Sequence, residues 1–120
     1  MAQKFLKKDQ LEKLLANGRE DEAAIMKDGN TPDHWPVVKF FNPCGAATWL
    51  ITALDADQDR AFGLCDLGQG FPELGYVSLK ELQSIRLRFG LKIERDIHFQ
   101  AEGPISQYFE KAKQEGRIDA

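Results

Sequence analysis

The clearest alternation of apolar and polar positions runs through Ala61-Phe-Gly-Leu-Cys-Asp-Leu-Gly-Gln-Gly-Phe-Pro-Glu-Leu-Gly-Tyr-Val-Ser-Leu79. Apolar residues recur at strand spacing on both sides of Gly68-Gln-Gly-Phe-Pro72, a glycine- and proline-rich turn, so the stretch predicts strand, turn, strand. Ser78 followed by Glu81 fits a capping box, with Val77 and Leu82 placed as its hydrophobic staple. Helical spacing then takes over at Leu79, Leu82, Ile85 and Phe89, and predicts a helix that ends at Gly90.

The same reading extends in both directions. Asp9–Gly18 predicts a short helix with Leu11, Leu14 and Leu15 on one stripe and Asn17-Gly18 as its left-handed stop. A second short helix is expected from Arg19 to Lys27, with Glu20, Asp21 and Glu22 at the positive end of its dipole. Asp28–Pro36 has loop composition. Val37–Phe41 and Ala46–Leu54 predict strands, the latter with Trp49, Ile51 and Ala53 on one face and Thr48, Leu50, Thr52 and Leu54 on the other. Apolar groups on both faces suggest a central strand. Asp55–Arg60 is an acidic turn. Leu91–Phe99 alternates, with Leu91, Ile93, Arg95, Ile97 and Phe99 sharing a face. Gly103-Pro104 opens a final helix with the stripe Ile105, Tyr108, Phe109 and Ala112, stopped by Gly116. The expected fold is α+β: one domain over residues 1–120, with a mainly antiparallel sheet of four or five strands and packed helices.

Composition narrows the classes. A chain of 120 residues, 42% hydrophobic and 29% charged, has a globular balance and is long enough to bury a core. No apolar run reaches the roughly 20 residues that span a bilayer, and Met1–Lys8 is too short and charged for a secretory signal. Cys44 and Cys65 form no close pair, which suggests free thiols in a reducing cytoplasm. The net charge of −3 disfavours a dedicated nucleic-acid binder. It leaves room for a local basic face. Residues 80–95 carry Lys80, Arg86, Arg88, Lys92 and Arg95 against Glu81 and Glu94. Arg86, Arg88 and Lys92 are the candidate binding residues, for an acidic protein surface or for the phosphates of DNA.

Candidate chemistry is sparse. Asp66 stands inside an apolar strand, where an isolated charge costs several kcal/mol unless it is bonded. The preferred reading is structural: Asp66 accepts amides of the Gly68–Gly70 turn or pairs with Arg95. The alternative is a catalytic carboxylate, with Glu73 across the loop and His34 or His98 as further members of a hydrolase or nuclease site. Asp55, Asp57 and Asp59 have the spacing of the first EF-hand ligands, but Arg60 occupies the position that needs glycine, so no metal is expected. Gly68-Gln-Gly70 lacks the phosphate-loop spacing, and no cofactor is expected. The acidic start of the second helix argues against a helix-turn-helix. No nucleophile motif surrounds either cysteine, and the apolar strand around Cys65 should raise its pKa.

The run Ala61 to Leu79, together with Asp33-His-x-Pro-Val-Val-Lys39, Thr48-Trp-Leu50 and Leu91 through Asp96, resembles an uncharacterised bacterial domain family common on proteobacterial plasmids and conjugative elements. The resemblance implies a bacterial cytoplasm and a mobile-element setting, and supplies no catalytic residue. The leading expectation is a non-enzymatic accessory protein that binds a protein partner, with DNA as the alternative partner through residues 80–95. The other expectations are the small hydrolase or nuclease and an inhibitor of a host defence system.

Overall fold

A computed structural model describes residues 5–120. The element order is α1 (Lys8–Lys27), β1 (Val38–Phe41), β2 (Thr48–Leu54), β3 (Arg60–Asp66), β4 (Glu73–Ser78), α2 (Leu79–Ser84), a short 3-10 turn (Arg88–Gly90), β5 (Glu94–Arg95) and α3 (Ile105–Glu115). The strands form one sheet in the order β4-β3-β2-β1-β5, and every pairing is antiparallel. The α+β expectation and the central place of β2 are therefore met. No helix among the described residues is long and apolar enough to cross a membrane. Residues 1–4, on which part of the signal-peptide expectation rests, lie outside the described residues.

Each face of the sheet has its own apolar cluster. On the first, Phe40, Trp49, Ile51 and Ala61 pack with Leu14 of α1, Leu79 and Leu82 of α2, and Ile93. On the second, Leu50 and Leu64 pack with Ile105 and Ala112 of α3 and with Ile118 beyond it. This explains why β2 is apolar on both faces: helices cover it from both sides. A bulge at Thr52 changes the alternation within that strand. Ile51 pairs with Gly63, but Ala53 pairs with Phe62 and Leu54 with Ala61. The extra residue moves Leu54 to the face of Trp49 and Ile51 and sends Ala53 to the other, the reverse of the uniform period-two expectation.

The bulge also decides where α1 sits. β1 stops pairing with β2 at Ile51, the last bond running from the Val37 amide to the Ile51 carbonyl. Past that point α1 lies against β2 in place of a strand. Buried Asn17 donates its side-chain amide to the Thr52 carbonyl at 2.9 Å, and a Cβ on Gly18 would fall on the Leu54 carbonyl oxygen. Asn17-Gly18 is therefore a helix-to-strand contact rather than a stop, and the two short helices expected from sequence are one helix of 20 residues. The left-handed stop comes at Gly29, with φ +80°, whose amide returns to the Ala24 carbonyl. At the other end, the Gln10 side chain reaches back to accept the Lys7 amide at the start of the helix.

Two further expectations are corrected. The helix after Ser78 is only six residues long. Ile85 turns extended, and Ile85 and Leu87 both pack on the first cluster at strand spacing, which a continuing helix would prevent. The strand expected over Leu91–Phe99 contracts to Glu94–Arg95. The chain bends at Asp96, whose carboxylate accepts the His98 amide, so Ile93 and Phe99 join clusters on opposite faces.

Loop aspartates secure the remaining elements. Asp33 accepts the amide and hydroxyl of Ser106 in the first turn of α3. Asp59 accepts the Lys80 amide at 2.8 Å and the Ser78 hydroxyl at 2.9 Å, capping α2 from the neighbouring hairpin. Ser78 itself accepts the Glu81 amide at 3.2 Å. The carboxylate of the expected capping box thus comes from Asp59 rather than Glu81. The Lys80 amide, followed by the Ser78 hydroxyl, holds the Asp59 carboxyl below its ordinary pKa.

Replacing Gly18 by alanine should destabilise the protein by about 1–3 kcal/mol in urea unfolding, against the roughly 1 kcal/mol that the exchange adds in a free helix. For Asp59 the folded pKa is depressed, so its contribution is complete above the unfolded value and is lost as pH falls through the folded value. The melting temperature should therefore drop as pH goes below about 4, and Asp59→Asn should flatten that part of the curve.

Candidate binding surface

Asp66 is 2% exposed, and both of its carboxylate oxygens are engaged. One accepts the Gly68 amide at 2.8 Å and the other the Ile118 amide at 3.0 Å. The first bond closes the β3–β4 turn, where Gly68 has φ +79°. The second ties the segment after α3 to the sheet across 52 residues of sequence. Arg95 is on β5, with β2 and β1 between it and β3, and donates to the Phe5 carbonyl at 3.1 Å. The Asp66 partner that sequence reasoning missed is thus a backbone amide, in place of Arg95.

The two candidate carboxylates project to opposite faces of the sheet. Glu73 pairs with Cys65 across the ladder and shares its face, whereas Asp66, the next residue along β3, projects to the other. His34 pairs with Asp21 of α1 at 2.9 Å, and its carbonyl accepts the Ile105 amide. His98 lies exposed beyond β5. Asp55 accepts the amides of Asp59 and Arg60, closing the β2–β3 turn. No group of three His, Cys, Asp or Glu among the described residues is placed to hold a metal. Burial pushes the Cys65 thiol up to about 11, so it stays protonated and unreactive at neutral pH. Cys44 is exposed in the β1–β2 turn.

The basic stretch takes a form that the sequence pattern concealed. Ile85, Leu87 and Ile93 anchor it to the first cluster. Between these anchors the Leu87 amide bonds to the Leu91 carbonyl and the Leu91 amide returns to the Arg88 carbonyl. The resulting tight turn points Arg86, Arg88 and Lys92 into solvent. Among the described residues none of the three has an ion pair or side-chain hydrogen bond. At its tip Phe89 is 92% exposed, with φ +61° and ψ 24°. A left-handed backbone at a bulky residue costs roughly 1–2 kcal/mol, and among the described residues the ring joins neither apolar cluster in return. Beside the turn lies an open cleft of about 940 Å³, lined by Gly90, Leu91, Lys92, Arg95, Ile97 and His98 among others. Sequence reasoning placed Phe89 on the apolar stripe of a helix. The alternation Ile85-Arg-Leu-Arg-Phe89 was the signal that pointed to an extended, surface-facing segment.

The model of the family described as protein of unknown function (DUF2958) matches residues 5–119. The chain belongs to that family. No curated protein and no solved structure matches it. The DUF2958 match takes in both the Asp66 tether and the Arg86–Lys92 turn.

Asp66→Asn replaces one acceptor by a donor that faces a backbone N–H. It should cost about 1–3 kcal/mol in denaturant unfolding and expose the residues after α3 to carboxypeptidase and hydrogen exchange. A catalytic Asp66 would instead leave stability unchanged.

Proposed function

We propose that this protein is a non-enzymatic accessory protein of bacterial mobile elements, working in the cytoplasm by binding a protein partner through the Arg86–Lys92 turn. The observation that carries this reading is Phe89, bare and in a left-handed backbone between cations that have no ion pair or side-chain hydrogen bond among the described residues. Backbone strain of this kind clusters at functional sites. Arginine and aromatic side chains are the groups enriched at the centres of protein interfaces. A partner with an acidic surface around an apolar pocket would take the ring and pair with Arg86, Arg88 and Lys92.

Charge distribution favours a protein over DNA. Residues 80–95 carry a net +3, which leaves −6 over the rest of the chain. A long polyanion would meet that opposing field along its length, whereas a compact acidic patch meets only the turn. The engagement of both Asp66 oxygens by amides, and the opposite projection of Glu73, lend no support to the hydrolase or nuclease reading.

The test is capture of partners from the native host by the wild-type protein and by R86E/R88E and F89G variants, followed by affinity measurement on the captured partner. Each variant should weaken binding about tenfold or more with the circular dichroism spectrum unchanged. F89G should also raise stability by up to about 1 kcal/mol, because glycine accepts the left-handed backbone. Undiminished capture by both variants removes this surface from the function. A gel shift with duplex DNA that weakens with salt and is lost in R86E/R88E would assign the turn to phosphates instead.

A further inference from the structure

The sheet has two outer strands, and they differ. β5 is two residues long, both charged. β4 runs six residues, Glu73–Ser78, in unbroken register with β3 from Cys65↔Glu73 to Arg60↔Ser78. Among the described residues no backbone bond outside that ladder reaches Glu73–Val77, so the outer donors and acceptors of β4 are unoccupied. Proteins ordinarily guard such an edge with lysine, proline or a bulge. β4 has none of these within it.

Its side chains point the same way. Leu74 and Tyr76 lie on one face, 37% and 56% exposed. The Tyr76 ring is held in place by Phe62, edge-on at 5.1 Å, and by the Arg60 guanidinium, 3.9 Å from its centre. Between them stands Gly75, which the fold itself does not require. Its φ is not positive, and a Cβ there would meet nothing within 4 Å. Glycine inside a strand weakens it and marks places where another backbone comes close.

We propose that β4 is the interface strand of a homodimer, pairing antiparallel with β4 of a second copy about a two-fold axis at Gly75 to form one ten-stranded sheet. The edge is self-complementary in this register. Gly75 meets its own counterpart on the axis, and Leu74 falls opposite the second copy's Tyr76 on a shared face, twice by symmetry. Such aliphatic–aromatic cross-strand pairs stabilise antiparallel sheets. Glu73 falls opposite Val77, so no like charges meet. Centring the axis on Leu74 would set Pro72, which has no amide to donate, opposite Tyr76. Centring it on Tyr76 would set Leu74 against Ser78 and lose the apolar pair. The surface lies apart from the Arg86–Lys92 turn, and the proposal does not rest on the partner-binding reading.

Sedimentation equilibrium of the full chain tests it, with two variants. Wild type should show a concentration-dependent dimer, and Leu74→Lys should weaken self-association about tenfold or more. In a Cys44→Ser background, Gly75→Cys should form a disulfide-linked dimer under mild oxidation, since directly opposed Cβ atoms lie about 4.5–5.5 Å apart. A strictly monomeric wild type overturns the proposal, and would leave the edge to an extended segment of some other protein. A dimer that L74K does not weaken and G75C does not cross-link overturns it as well, by placing self-association elsewhere.

Discussion

The contact between the middle of α1 and the irregular half of β2 holds the architecture together. A central strand must find partners for its backbone groups on both sides, because an unmet buried carbonyl costs about as much as a lost hydrogen bond. β1 serves β2 only as far as Ile51. Beyond it the Thr52 carbonyl is met by the Asn17 side chain, and Gly18 lets the helix backbone close on the Leu54 carbonyl. This single junction sets the position of α1, admits Leu14 to the first cluster, and exchanges the faces of Ala53 and Leu54 through the bulge at Thr52.

Carboxylates carry out the rest of the joining. Asp33, Asp59 and Asp66 each reach from a loop or strand end to backbone amides that would otherwise lack acceptors: the start of α3, the start of α2, and Ile118. Charge-assisted bonds of this kind are stronger than neutral ones. Two of the three, Asp59 and Asp66, are residues whose spacing or strand setting suggested a metal or hydrolase site. Several conspicuous acids are spent on folding, whereas Arg86, Arg88 and Lys92 have no ion pair or side-chain hydrogen bond among the described residues. The two outer strands likewise present different surfaces, a charged aromatic turn leading into β5 and an apolar, hydrogen-bond-hungry edge at β4.

Local pattern settled most of the elements. Alternation identified β1 to β4, the glycine and proline of the Gly68–Pro72 turn identified the hairpin, and Gly116 marked the end of α3 with φ +74°. These features depend on neighbours within a few residues, which is why one chain read alone shows them. The burial of Asp66 and its bond to the Gly68 amide belong to the same class, since the turn lies two residues away. The basic character of Arg86, Arg88 and Lys92 was legible as charge.

Only the tertiary structure decided what depends on residues distant in sequence. Asn17-Gly18 has the chemistry of a helix stop and the location of a helix–strand contact, and location prevailed because the Thr52 carbonyl 35 residues away needed a donor. Ile85 and Leu87 fit either a helical or an extended period until the first cluster took both. Phe89 was therefore an apolar residue awaiting a core, and the fold left it in solvent. The sequence by itself determined the strands, the turns and the charges. The packing of distant elements determined which acids are bonded, which cations are free and which sheet edge is open, because a backbone group's need for a partner is local while the partner's position is not.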